Sequence, residues 1–132
     1  MPLLYLHAGA MGAGFLLMAA GAGIAGFQRR RRWWLKAHKT FGVTGSFVML
    51  PGLVAAFLMV DQGGSGHIRL PHAGFGLVMI LLAFITPVFG QLQFKIREKA
   101  KQLREKHRWS GRITLIVGLI TILSGLLAAG II

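Results

Sequence analysis

The sequence predicts an all-α membrane protein, an up-down bundle of four transmembrane helices built as two similar helical hairpins. Of its 132 residues, 55% are hydrophobic and only 14% are charged. The chain contains four long apolar runs, and about 20 apolar residues are enough to cross the ~30 Å hydrocarbon core of a bilayer. We expect one domain covering residues 1–132, with spans at about 3–27, 38–60, 71–94 and 107–132.

Each span and connection has its own signal. The first run resembles a secretory signal but lacks a cationic segment before it, so we expect a retained span. Pro51 and Pro87 lie inside spans 2 and 3, where membrane helices tolerate kinks. In the third connection, Ile96, Ala100, Leu103 and His107 are spaced on one helical face. Either span 3 continues beyond the membrane, or a short amphipathic helix lies along its surface.

Charge predicts the orientation. Fourteen of the fifteen Lys and Arg residues lie in or beside the first and third connections, which share one side of an up-down bundle. The positive-inside rule makes that side cytoplasmic, so both termini and the Gly63–Gly66 loop are expected outside. The net charge of +12 then reflects topology and anionic lipid headgroups, and nothing in the chain resembles a nucleic-acid module. Without cysteine there are no disulfides, thiolate metal sites or covalently attached c-type haem.

Four of the five histidines stand near the beginning of a span. His7 and His72 are both expected near the outer face, and His38 and His107 near the inner face. This gives one pair in each leaflet, drawn from two parallel helices. The fifth histidine, His67, is interpreted as a loop residue.

The neighbours of these histidines repeat as well. Gly42, Gly76 and Gly111 each follow a histidine by four residues, which places them on the same helical face. Paired imidazoles beside glycines suit a haem, because two axial histidines hold the iron and small residues leave room for the macrocycle. We therefore expect two non-covalent haem b groups, each with two histidine ligands. The cations available to their propionates are Lys36, Lys39, Arg108 and Arg112 inside and Arg69 outside.

Other interpretations are weaker. A single histidine at a helix end is usually an interfacial polar residue, and glycine in a membrane helix usually serves close packing. A proton-coupled exporter would need an embedded carboxylate, whereas Asp61, Glu98 and Glu105 lie at or outside the span boundaries. A metal transporter would want carboxylates or thiols between the histidines. A haem-bearing anchor or quinol-interacting subunit of a larger redox complex would show the same ligands as an independent electron carrier.

The stretches WWLKAHKTFG and KHRWSGR resemble the segments around the inner haem ligands of the cytochrome b561 family, transmembrane di-haem electron carriers. LHAGAMGAG and LPHAGFG, with Gln91 near the end of span 3, resemble the outer ligand segments. The resemblance covers nearly the whole chain. It implies that His38 pairs with His107 and His7 with His72 as haem ligands, in transmembrane electron transfer.

The chain departs from that family in having only the four central helices of the usual six. The longer signatures of the ascorbate-using members are absent around His38 and His72. These departures favour a minimal bacterial relative in the cytoplasmic membrane and do not support ascorbate itself as the donor. The concentration of cations on the cytoplasmic side predicts that electrons enter there, from an ascorbate-like or quinol donor, and leave to an acceptor outside. Other redox subunits or a second copy of the chain are the expected protein partners.

Overall fold

The chain folds into four long helices, as expected from its four apolar runs. The computed structural model describes residues 2–63 and 71–132, and no strand occurs in these two segments. All four helices are long and apolar enough to cross a membrane. They are α1 (Pro2–Phe27), α2 (Trp34–Gly63), α3 (Pro71–Lys95) and α4 (Ala100–Ala128). The all-α class is confirmed, whereas Arg69, His67 and most of the predicted Gly63–Gly66 loop lie outside the described residues.

The third connection differs from both expectations. Ile96 leaves the helical conformation (φ −107°, ψ 86°), so α3 ends at Lys95, and a single 3₁₀ turn, Arg97–Lys99, leads into α4. The amphipathic face predicted for this connection is therefore the first part of α4. Leu103, on that face, is 9% exposed. The predictions of a continued third helix and of a separate surface helix are both wrong.

The fourth helix ends before the predicted limit at residue 132. Gly130 adopts φ +67°, a left-handed conformation that glycine enters without a steric penalty. The N–H groups of Gly130 and Ile131 then donate to the carbonyls of Leu127 and Leu126. This is the Schellman arrangement, which gives partners to carbonyls left free at a helix end.

The first hairpin, α1 with α2, is held by close contact between backbones. At Gly45, a Cβ atom would lie 2.7 Å from the Gly14 carbonyl oxygen and 2.7 Å from Cγ of Met18. A Cβ atom at Gly14 would lie 2.6 Å from the Gly45 carbonyl oxygen. Small residues at such crossings let membrane helices pack tightly where no hydrophobic effect drives them together.

Contacts between the two hairpins include a hydrogen bond beside Pro87, which lies inside α3. Pro87 in α3 has no N–H, so the carbonyl of Ala83 one turn earlier loses its helical donor. The buried Ser46 hydroxyl of α2 donates to that carbonyl at 2.6 Å. Nearby, the rings of Phe47 and Phe84 pack edge to face with centroids 5.8 Å apart. A side chain from one hairpin thus gives a hydrogen-bond donor to a backbone carbonyl of the other. Inside a bilayer, where no water is present, such a carbonyl needs a partner within the protein.

Gly45→Ala is expected to lower the free energy of unfolding by about 1–3 kcal/mol, because the added methyl group overlaps the α1 backbone. Unfolding in mixed detergent micelles, followed by circular dichroism, measures the change. Gly26→Ala is the matched control, since a Cβ atom there would meet nothing within 4 Å. Equal stability of the two variants would show that the Gly14–Gly45 crossing is not tight.

Candidate cofactor site: two histidine pairs

The structure brings the four predicted histidines together in two pairs, at opposite ends of the bundle. The ring centroids of His38 and His107 are 5.7 Å apart, with planes at 76°. Those of His7 and His72 are 5.9 Å apart, with planes at 89°. We call the first the cationic-end pair, because it lies where α1 ends and α2 begins, and the second the opposite-end pair. Each pair takes one ring from each hairpin.

Each ring is fixed by its own hairpin through a hydrogen bond to a backbone carbonyl of the neighbouring helix. His7 Nδ1 lies 2.9 Å from the Gly52 oxygen, and His38 Nδ1 lies 2.8 Å from the Gly21 oxygen. In the second hairpin the acceptors are Thr121 for His72, at 2.9 Å, and Thr86 for His107, at 2.8 Å. Because a carbonyl can only accept, Nδ1 must carry the proton. Each Nε2 then holds a free lone pair, the form in which imidazole binds a metal.

The backbone carbonyls that accept these hydrogen bonds are regularly spaced from the histidines along the chain. On every helix the carbonyl that receives a bond lies fourteen residues after that helix's own histidine. Fourteen residues are close to four helical turns, so both groups lie on nearly the same face, about 21 Å apart along the axis. Each helix therefore supplies a ring to one pair and a carbonyl to the other. The four residues bearing these carbonyls were missed by sequence reasoning: Gly21, Gly52, Thr86 and Thr121.

The spacing of the paired rings fits one metal ion between them. Imidazole–metal bonds are about 2 Å long for zinc, so two rings bound on opposite sides of a similar ion have centroids roughly 6 Å apart. The observed distances of 5.7 and 5.9 Å agree with this. Within residues 2–63 and 71–132 no group of three or more His, Cys, Asp or Glu side chains could hold a metal ion. Two histidines alone suit a metal whose other ligands come from a macrocycle.

The glycines nearest the rings are not the ones that the sequence singled out. A Cβ atom at Gly90 would lie 3.0 Å from Cε1 of His107, and one at Gly125 would lie 2.8 Å from Cε1 of His72. By contrast, a Cβ atom at Gly42 would meet nothing within 4 Å, and Gly76 and Gly111 face threonine methyl groups at 3.8 and 3.6 Å. The contact of Gly42, Gly76 and Gly111 with a haem remains a prediction, whereas Gly90 and Gly125 leave room for the rings themselves.

Four of the five cations predicted for the propionates lie at the cationic end, and the fifth, Arg69, lies outside the described residues. Lys36, Arg108 and Arg112 are exposed. Lys39 is partly covered, with its ammonium 4.1 Å from the Phe94 ring centroid. The Arg112 guanidinium lies 5.1 Å from the Trp109 ring centroid, a cation–π contact that orients it near the end of the bundle.

Fold and site together define a class of protein: a four-helix membrane bundle with one pair of metal-competent histidines toward each end. The sequence matches the family described as eukaryotic cytochrome b561 over residues 6–132. The chain therefore belongs to the cytochrome b561 family of membrane haem b proteins, and the resemblance inferred from its sequence is confirmed. No single curated protein and no solved structure matches it significantly.

Gly125→Ala is expected to displace the His72 ring, because a methyl group 2.8 Å from Cε1 forces the ring to move. The Nδ1–H signal of His72 in a nitrogen-15 NMR spectrum of selectively labelled protein should shift or broaden. The signal of His107 should stay in place, and Gly90→Ala should give the reverse result. Gly74→Ala, where a Cβ atom meets nothing within 4 Å, is the control for both. Unchanged spectra in the first two variants would contradict the described ring positions.

Proposed function

We propose that this protein carries electrons across a membrane through two b-type haems, each held by one histidine pair. The observation that supports it best is the state of the four rings: all have Nδ1 bonded to a carbonyl and Nε2 left for a metal. Family membership supports the coarser statement of haem-linked transmembrane electron transfer. With both axial positions taken by protein ligands, a haem iron has no open site for oxygen and its chemistry is one-electron transfer.

The protein's own residues would hold the haems, orient their histidine ligands and keep water away from the space between them. The carbonyl bonds keep each ring in one tautomer and orientation, which reduces the rearrangement that accompanies a change of iron charge. Between the two pairs lies an apolar core in which Met49 is 0% exposed, Met79 2% and Met18 9%. Such a layer keeps water out of the space that separates the two cofactor levels. The open space beside Gly42 is where a macrocycle could approach the helix backbone at the cationic-end pair.

Propionate groups need cations, and the two ends differ in what they provide. At the cationic end we assign this role to Lys36, Lys39, Arg108 and Arg112. At the opposite end we assign it to Arg69, the one Lys or Arg residue that lies outside the first and third connections of the sequence. The sequence has fourteen Lys and Arg residues in or beside the first and third connections and one in the second, which also favours a bacterial cytoplasmic membrane with the cationic end inside, against anionic lipid headgroups.

The same asymmetry suggests a direction. A strongly positive surface concentrates anionic donors and acidic partner proteins next to the His38/His107 pair. The second connection contributes only Asp61, Arg69 and a glycine-rich stretch in the sequence, and it suits a neutral, cationic or quinone-like acceptor. We infer that electrons enter at the cationic end and leave through the His7/His72 pair.

The haem content should be two per chain, both six-coordinate and low-spin. His72→Ala should remove the opposite-end haem and leave the other, and His107→Ala should do the reverse, because the two pairs share no ligand. Reduced-minus-oxidised spectra with a pyridine haemochrome count measure both. One haem per chain in the wild type, or equal loss of both signals in each single mutant, would contradict the assignment.

Oriented proteoliposomes test the direction. A membrane-impermeant anionic reductant should reduce the haems faster from the cationic end than from the opposite end, by roughly tenfold or more at low salt. Added salt should shrink the difference, because exposed charges are screened over about 10 Å at 0.1 M.

Two charge-matched variants separate a local effect from the overall field. Lys36→Ala with Lys39→Ala removes two cations beside His38, and Lys99→Ala with Lys101→Ala removes two exposed cations at the start of α4. The first pair should slow reduction more than the second at equal haem content. Equal rates of haem reduction from both faces of the wild-type protein would contradict the assignment of electron entry to the cationic end.

A further inference from the structure

Each histidine ring packs against a short segment of the neighbouring helix, which begins at the residue with the accepting carbonyl. Residues three and four positions further along lie on the same helical face, so they border the ring as well. In the second hairpin the fourth position is a glycine, Gly90 or Gly125, and a Cβ atom there would lie 3.0 Å or less from the ring. The third position is left as the place where a side chain can lie beside the ring.

The four segments differ in chemistry at this third position. Three of them carry an apolar side chain there, which cannot accept a hydrogen bond, and the fourth carries a hydroxyl. The residues are Ile24 for His38, Ala55 for His7, Phe89 for His107 and Ser124 for His72. Among the described residues, the His72 ring is accordingly the one whose Nδ1 atom has a second partner, the Ser124 Oγ atom at 3.3 Å.

The positions of the protons follow from what each group can donate. The Thr121 carbonyl, 2.9 Å from His72 Nδ1, only accepts, so Nδ1 carries the proton. The Ser124 hydroxyl donates its own proton to the same carbonyl at 3.0 Å. Its oxygen therefore faces the Nδ1–H group as an acceptor. The His72 N–H group thus makes a three-centre hydrogen bond, shared between a carbonyl and a hydroxyl.

The hydroxyl adds to the carbonyl bond and does not replace it. The Nδ1 to oxygen distance of 2.9 Å at His72 lies within the range of 2.8–2.9 Å at the other three rings. An acceptor at Nδ1 lets Nε2 give more electron density to a metal. A hydroxyl that donates its own proton is a stronger acceptor in turn. Among the four rings, His72 is therefore the one best prepared to stabilise a more positive metal ion.

We propose that Ser124 is a positioning residue that makes the two haem sites unequal. Acting through His72, it fixes the ring and favours the ferric form of the iron, which lowers the reduction potential at the opposite end. This redox consequence rests on the proposed function, whereas the hydrogen bond needs no cofactor. A lower potential makes the opposite-end haem the stronger reductant of the two. That property suits the site from which electrons pass to an acceptor.

The hydrogen bond is tested by nitrogen-15 NMR of the whole chain with labelled histidine, both without haem and in the reduced, diamagnetic state. Ser124→Ala should shift the Nδ1–H signal of His72 and leave the other three in place. Ser110→Ala is the matched control, because that hydroxyl also bonds an α4 carbonyl, that of His107, at 3.2 Å. No hydrogen bond joins it to a ring within the described residues, so all four signals should stay.

The redox consequence is tested by spectroelectrochemical titration. In a His107→Ala background, which should keep only the opposite-end haem, Ser124→Ala should raise the midpoint potential. The ratio of reduced to oxidised haem at a fixed electrode potential should rise roughly two- to fivefold, because part of one neutral hydrogen bond is lost. In a His72→Ala background the same change should have no effect. In the otherwise unmutated chain, one of the two redox transitions should move and the other should not.

Ser124→Thr retains the hydroxyl and should give the wild-type potential. A potential that is unchanged or lower in Ser124→Ala would overturn the proposal, as would a Ser124→Thr variant that matches Ser124→Ala or a His72 signal that does not respond. Failure of the proposed function gives a different result. A His72 signal that shifts in protein unable to bind haem sinks that function and leaves the hydrogen bond standing, whereas two bound haems indifferent to Ser124 do the opposite.

Discussion

The structure depends on one requirement of the bilayer, that polar groups must find partners inside the protein. Four imidazole N–H groups meet it by donating to backbone carbonyls of the adjacent helix, as with His38 and Gly21. The same bond fixes the ring tautomer and sets the helix register within each hairpin. Ser46 meets the requirement at Pro87 by bonding the carbonyl that the proline leaves without a donor. Helix packing and ligand orientation therefore have one cause.

The architecture could be predicted from composition and spacing alone. Apolar runs define the spans, and the charge asymmetry of the connections is consistent with placing His38 beside His107 and His7 beside His72, since spans joined in alternation share ends. The rings then meet within 6 Å in the structure. This was predictable because lipid restricts backbone geometry to long helices, which leaves few ways to combine four of them.

The contacts between helices and the connection between α3 and α4 were harder to predict from the sequence. The glycine one turn after a histidine was expected to leave room for a macrocycle, which remains a prediction, whereas Gly90 and Gly125, which contact the rings from the partner helix, were not singled out. Helical spacing reports which residues share a face of one helix, and it does not report the register between two helices. The expected limit of span 3 near residue 94 agrees with the end of α3 at Lys95, but the break at Ile96 and the start of α4 at Ala100 were missed, because an isoleucine side chain carries no breaker signal. The fourteen-residue interval from each histidine to the residue whose carbonyl accepts a bond was present in the sequence, but every residue has a carbonyl, so its composition does not mark it.

The division of each pair between the two hairpins bears on how the molecule assembles. Neither hairpin contains a complete pair, since His7 and His38 come from the first and His72 and His107 from the second. A group that joins the paired rings is therefore also a cross-link between the halves of the chain. Its binding free energy adds to their association, because it binds the assembled bundle and not the separate hairpins. In the proposed di-haem protein, binding of the cofactor would therefore be coupled to association of the two hairpins.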